Sequence, residues 1–346
     1  MTIEKKKLVH ITHNDGDAVG CDLVLHYVFY GWDRITRWMS PNETDKLVID
    51  LIDKWDSIET YPEEIVISDI SVSLPVWNKL EELHDKFGVK IHMFDHHPTN
   101  PCRGLSMYVD VYSKLNDAPV SAAMIMFMNQ TYNQIISDSQ FVNLRNVLYP
   151  IIRAISRYDT WEWKNNPESS EIPESIISDI CKFIGPENTI NNLVTHLSSI
   201  LSTTKKDLDN NAKLYPKLFN ELNNVITMKK KASIDKIPEF IKLTDEGEYR
   251  FATFVADNEF TNEIAEEIYR TYDIDIVRIL YPSSCKVGFR TGRDDVNVGR
   301  LANRLYGGGG HVKAAGARLT LDQFITIYEN IMNAPPLQEI TRKVGI

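Results

Sequence analysis

The scarcities of this sequence narrow its chemistry first. Four cysteines (Cys21, Cys102, Cys181 and Cys285) are scattered over 346 residues with no CxxC spacing. That argues against a disulfide framework and a thiolate zinc site, and it favours a reducing, cytoplasmic setting. No run approaches the roughly 18 apolar residues that a membrane helix needs, so no membrane association is expected. The opening MTIEKKKLVHITHNDGD is charged, with neither an apolar core region nor a small-residue cleavage site, so no signal peptide is expected. Positive charge is in deficit too. The net charge is −10, against the broad basic surface that binders of long duplex nucleic acid carry.

What is present is ordinary globular material, 43% hydrophobic and 25% charged, which rules out a disordered or fibrous chain. The length exceeds what one hydrophobic core usually spans, so two domains are expected. Charge is unevenly spread. Between Lys286 and Arg318, seven basic residues (Lys286, Arg290, Arg293, Arg300, Arg304, Lys313 and Arg318) face only Asp294 and Asp295. A small basic pocket on an acidic body suits a small anion, because distant charge is screened within about 8 Å in physiological salt.

The first half alternates strand and helix. Strands are predicted at 7–12, 64–68 and 89–94, and helices at 19–30, 46–55 and 75–87. Repeated β-α-β at this spacing implies an α/β fold, with a doubly wound parallel sheet and helices on both faces. Helical patterns follow at 121–132 and 140–156. A second, smaller α/β unit with a mixed sheet is predicted from strands at 240–243, 250–256, 275–281, 286–291 and 315–320, and helices at 262–272, 296–305 and 321–332. The expected domains are therefore 1–200, a helical connector over 201–236, and 237–346.

Four motifs sit at strand or helix ends in the first domain. His13-Asn14-Asp15-Gly16-Asp17 follows the first strand, Asp69 ends a Val/Ile run, Asp95-His96-His97 follows the 89–94 strand, and Asp159 ends an apolar helix. In open α/β sheets, ligands collect at the carboxyl ends of strands. Each motif also has a plain reading. The first is a turn with a helix cap, Asp69 another cap, and Asp159 an acid answered by Arg157. Asp95 can orient one imidazole while the other faces outward. Together the motifs suggest two divalent ions. His13 and Asp15 would hold one, Asp17, His96 and Asp159 the other, and Asp69 would bridge them. Such carboxylate–imidazole sets suit manganese, with magnesium, cobalt or iron as substitutes.

With the triplet Asp95-His96-His97, the other three motifs in order, and Gly307-Gly308-Gly309-Gly310-His311 followed by Ala314-Ala315-Gly316, the chain resembles the DHH phosphoesterase superfamily in both domains, while the helical stretch from Trp161 to Lys236 matches no motif of it. The resemblance implies that His13, Asp15, Asp17, Asp69, His96 and Asp159 bind metals and that His97, with Asp95, serves catalysis at the scissile phosphate. It is most similar to the oligoribonuclease (nanoRNase) branch, which implies short RNA or DNA oligonucleotides or dinucleotides as substrates, hydrolysed to mononucleotides. The short His-x-Asp-x-Asp spacing departs from the inorganic pyrophosphatases of the superfamily. Alternatives within it are a phosphatase for 3′-phosphoadenosine 5′-phosphate and a RecJ-like single-strand exonuclease. A catalytically silent nucleotide- or RNA-binding module, and a homodimer, also stay open.

The second domain reads the same way from its residues. Glycines let backbone approach a ligand and expose N–H groups to an anion. His311 closes that loop, and Arg290 can grip a phosphate in bidentate fashion. Gly308, Gly309, Gly310, His311 and Arg290 are therefore substrate-binding candidates, with Asn303 a weaker one. Trp161 and Trp163 read either as core or as surfaces on which a base could stack. The Lys229-Lys230-Lys231 run reads as a solvated helix face.

Overall fold

The computed structural model describes residues 5–105, 109–138, 144–166, 172–201, 214–237, 241–255 and 260–333. Two compact units part between Asn223 and Asn224. In the first, strands β1 (Lys7–Thr12), β2 (Asp33–Trp38), β3 (Glu64–Ser68), β4 (Lys90–Asp95) and β5 (Val109–Val111) form one parallel sheet in the order β2-β1-β3-β4-β5. Register sets the site. Thr12 lies opposite Ser68, and Ser68 opposite Phe94, so the loops beginning at His13, Asp69 and Asp95 leave the sheet at one edge.

One face of this sheet, through Val9, Ile11, Ile65, Ile67, Ile91 and Met93, packs on α2 (Thr44–Ile58) and α3 (Leu74–Phe87). The other carries His10, Thr12 and Ser68. There His10 Nδ1 meets Asp22 Oδ1 of α1 (Gly16–Val28) at 2.8 Å. Helix α1 also packs on α4 (Ala122–Met128) and α6 (Leu144–Asp159). The approach is close at Gly20, where a β-carbon would stand 2.8 Å from the Ala123 β-carbon and 3.0 Å from Ile155 Cδ1. The hairpin β6 (Lys114–Leu115) and β7 (Ala118–Pro119) and helices α5 (Gln130–Ser137), α7 (Glu162–Asn165), α8 (Ile176–Ile184) and α9 (Pro186–Leu201) complete the described part of the unit, and α10 (Leu214–Asp235) runs across the boundary.

The second unit holds β8 (Lys242–Glu246), β9 (Tyr249–Val255), α11 (Thr261–Thr271), β10 (Ile276–Tyr281), β11 (Lys286–Arg290), α12 (Val298–Tyr306), β12 (Gly309–Gly310), β13 (Ala314–Arg318) and α13 (Leu321–Met332). Its sheet runs β12-β13-β11-β10-β9-β8. The β9–β10 pair is parallel, joined through α11, and the other pairs are antiparallel. Phe251, Ile276, Leu280, Phe289, Val298 and Leu301 fill its core.

The structure departs from sequence expectation at several places, among them strand β5 and the 114–119 hairpin, which no sequence pattern announced. Strand β2 was not foreseen, because DRITRW at a sheet edge alternates exposed and half-buried residues and carries no apolar run. The helix expected over 121–132 is broken at Asn129, whose side chain accepts from the Thr131 and Tyr132 N–H groups and caps α5. Helix α6 runs past Ser156 to Asp159. The glycine turn contains the short edge strand β12, paired to β13. Parts of the segments expected at 140–156, 201–236, 240–243 and 250–256 lie outside the described residues.

Candidate metal centre

Asp15 serves two purposes, one on each oxygen. Its Oδ1 accepts from the N–H groups of Asp17 and Ala18, capping α1, while Oδ2 lies 2.8 Å from His13 Nδ1. The cap and the ligand readings are thus compatible. Asp17 is buried and turned inward. Its carboxylate accepts from Ala122 N at 2.8 Å and Ala123 N at 3.0 Å, the first turn of α4, which fixes both oxygens.

Asp69 is not a cap, since Ser73 occupies that position before α3. It continues the β3–β4 ladder through its N–H to Phe94 O, with left-handed backbone at φ 54. That conformation bends the chain where the strand ends, and Asp is among the few side chains that tolerate it. Beneath it, His10 bridges Asp22 and Ser68 at 2.8 Å on each side, and Thr12 Oγ donates to Ser68 O at 2.9 Å. Sequence reasoning passed over His10 and Asp22. The available signal was a histidine inside the apolar strand KLVHIT.

Asp95 is wholly buried. Its Oδ1 accepts from His97 Nδ1 at 2.7 Å and from the His96 and His97 N–H groups, and its Oδ2 accepts from Asn100 Nδ2 at 2.6 Å. His97 is therefore held with Nδ1 donating to Asp95, while His96 points to the acids. Asp159, at the end of α6, has Oδ2 3.3 Å from His96 Nε2. Arg157 does not answer it. That guanidinium pairs with Glu174 and Glu162 and donates to Asn166 O.

Three overlapping sets of donor atoms result, each within 4.8 Å: His13, Asp15 and Asp69; Asp17, His96 and Asp159; and Asp69, His96 and His97. Asp69 Oδ2 lies 3.7 Å from His13 Nδ1, and its Oδ1 lies 3.5 Å from His96 Nε2. One carboxylate thus turns an oxygen to each side.

The electrostatics show a deficit of positive charge. Burial, then the Asp15 and Asp17 charges, push Asp69 well above the usual carboxylate range. Asp159 is raised by burial and by Asp17 and Asp69, against the pull of His96. Burial opposes a charged His13, but Asp15 and Asp69 outweigh it and raise its pKa to about 11. Asp69 Oδ2 and Asp159 Oδ2 are buried with no hydrogen-bond partner. Orphaned, mutually repelling carboxylate oxygens beside imidazoles are a donor set that divalent cations fit.

In the second unit, Arg290 ends β11. Its Nε donates to Asn262 Oδ1 at 2.9 Å, and Nη1 donates to Phe289 O. Arg290 pairs across the ladder with Ala314, whose carbonyl accepts from His311 N at 2.8 Å, so the two candidates sit on adjoining backbone. Asn303 Nδ2 donates to Gly308 O at 3.1 Å and thereby fastens the turn. A β-carbon on Gly308 would stand 2.2 Å from Gly316 O, and one on Gly310 2.6 Å from Ala315 Cα, whereas Gly309 faces open space. The basic excess is partly spent locally: Arg293 pairs with Asp275 and Asp295, and Lys313 with Asp294.

No family model matches the chain. It is 24% identical over 309 residues to oligoribonuclease NrnB of Bacillus subtilis (strain 168), covering 89% of this chain and 72% of that protein. A crystal structure of exonuclease RecJ bound to manganese is similar at TM-score 0.51 and 14% identity, over 96% of this chain and 91% of that one. A pGpG-specific phosphodiesterase from Vibrio cholerae is similar at TM-score 0.47 and 15% identity, over 95% and 98%. No described helix is long and apolar enough to cross a membrane.

Proposed function

We propose that the chain is a DHH-type, metal-dependent phosphodiesterase that hydrolyses short oligonucleotides or linear dinucleotides to mononucleotides, a reading supported by its similarity to oligoribonuclease NrnB. The observation that carries this reading is Asp69, whose two carboxylate oxygens face separate donor sets at 3.7 and 3.5 Å. His13 and Asp15 would hold one ion, and Asp17, His96 and Asp159 a second, with Asp69 shared. Manganese suits the set best, with magnesium, cobalt or iron as substitutes. When bound, such a pair supplies an activated water and neutralises charge on the phosphoryl group.

The remaining work falls to the chain itself. Asp95 is a positioning residue: by accepting from His97 Nδ1 it fixes the orientation of the ring. Burial opposes a charged His97, yet Asp95 outweighs it and raises the pKa, which favours the ring as a donor to a non-bridging phosphate oxygen. Helix α4 holds Asp17 in place through two N–H groups, which removes reorganisation at that ligand. In the second unit, Arg290, His311 and the backbone of Gly308, Gly309 and Gly310 are the anchor for a terminal phosphate, with Asn303 shaping the loop. An acidic body disfavours long polyanions.

The test is incubation with manganese and 5′-labelled RNAs from two to about twenty nucleotides, beside 3′-phosphoadenosine 5′-phosphate. Fastest release of mononucleotides from the shortest RNAs is expected. Preference for the longest RNAs, or turnover of the bisphosphate alone, would replace the reading by the exonuclease or the phosphatase alternative.

A further inference from the structure

Trp161 stands two residues beyond Asp159, so its Cα is within about 7 Å of that acid's. It occupies the left-handed region, at φ 62 and ψ 10. For so bulky a side chain this is an outlier, and glycine or asparagine would suit the backbone better. Outliers of this kind persist where the side chain is needed. The indole is half-buried rather than in the core. Lys164 sets it, with Nζ 4.3 Å from the Trp161 ring centroid and 5.1 Å from that of Trp163. Trp163 is held in turn by stacking on Tyr158, at 6.0 Å and 23°. An aromatic ring braced by a cation, two residues along the chain from Asp159, is a surface on which any base can stack.

We propose that Trp161 is the stacking platform for the nucleobase next to the scissile phosphodiester, with Lys164 bracing the ring and lending positive charge on its phosphate side. The inference rests on the phosphodiesterase reading above and adds the contact that selects a nucleotide over a bare phosphodiester. Stacking strength favours purines, so diadenylate is held more tightly than diuridylate.

The experiment compares the unaltered protein with Trp161→Gly, Trp161→Ala and Trp161→Phe, using manganese, diadenylate and a dinucleotide whose bases are replaced by hydrogen. Expected for Trp161→Gly and Trp161→Ala is a rise of about tenfold in KM for diadenylate, about 1.4 kcal/mol, with kcat within about twofold. Trp161→Phe should restore most of the affinity. The ratio of kcat/KM for diadenylate over the base-free substrate should fall in Trp161→Gly. The thermal midpoint of Trp161→Gly should match or exceed that of the unaltered protein, since glycine relieves the left-handed strain. An equal loss on both substrates, or a lowered midpoint in Trp161→Gly, would mean a structural tryptophan and overturn the platform. An unchanged KM for diadenylate in Trp161→Ala would overturn it while leaving the phosphodiesterase intact. Binding of a methylphosphonate diadenylate, read by calorimetry, separates the two claims if no hydrolysis occurs. Weaker binding to Trp161→Gly then keeps the platform and removes the activity, and equal binding removes both.

Discussion

At the scale of single residues, Asp69 concentrates the conflict that a cation would resolve. Its carboxylate is buried beside Asp15 and Asp17, and one oxygen has no hydrogen-bond partner. Asn tolerates the same left-handed backbone, so Asp69→Asn tests the charge with little change of shape. Hydrolysis should fall by at least about a hundredfold, since one ligand serves both donor sets. Metal-free stability should rise by roughly 1 kcal/mol, because functional sites hold destabilising charge. Activity assays with manganese and urea melts in chelator check the pair of outcomes. An active Asp69→Asn variant would refute the bridging role. The residue types that form the cluster were legible, since hard and borderline donors at strand ends are rare without purpose. Which oxygen faces which partner was not, because it depends on a left-handed φ that aspartate does not announce.

At the scale of elements, glycines decide how closely backbones approach. Gly20 lets α1 meet α4 and α6, and Asp17 on the same helix caps α4. Gly20→Ala should therefore cost about 1–3 kcal/mol in urea melts and weaken manganese affinity, through displacement of α4 from Asp17. In the second unit, Gly310→Ala should disrupt the β12–β13 pair, where a β-carbon meets backbone at 2.6 Å. Gly309→Ala meets nothing within 4 Å and should change stability by less than about 0.5 kcal/mol. Any loss of substrate affinity in that variant then reports a ligand at the loop, read by KM for a dinucleotide. Long apolar strands and the last helix were legible to within a residue or two. The edge strand β2 and the Asn129 break were not, because the first lacks apolar contrast and the second hinges on one capping side chain.

At the scale of the whole molecule, stability should fall on the acid side before the carboxylates titrate. Burial, then Arg34, lowers the pKa of His26 to about 4, so the folded state refuses a proton that the unfolded chain accepts below about 6.5. Its contribution is complete above that pH and is lost as pH falls toward 4, by an amount that solvent screening of the partly exposed ring reduces. Denaturant midpoints at pH 7 and pH 5 should converge in His26→Gln; an unchanged gap would assign the acid sensitivity elsewhere. The sequence by itself determined the α/β class, the two units and the residue types of the cluster, because periodicity and side-chain chemistry are local properties. Tertiary structure alone decided that His13, Asp69 and His96 gather at the carboxyl ends of a parallel sheet and that the end of α6 brings Asp159, some 150 positions from His13, against them. It also decided that Arg157 turns away from Asp159 and that His10 braces Ser68 from below. Strand order and register place loops in space, and neither is written in the spacing of residues along the chain.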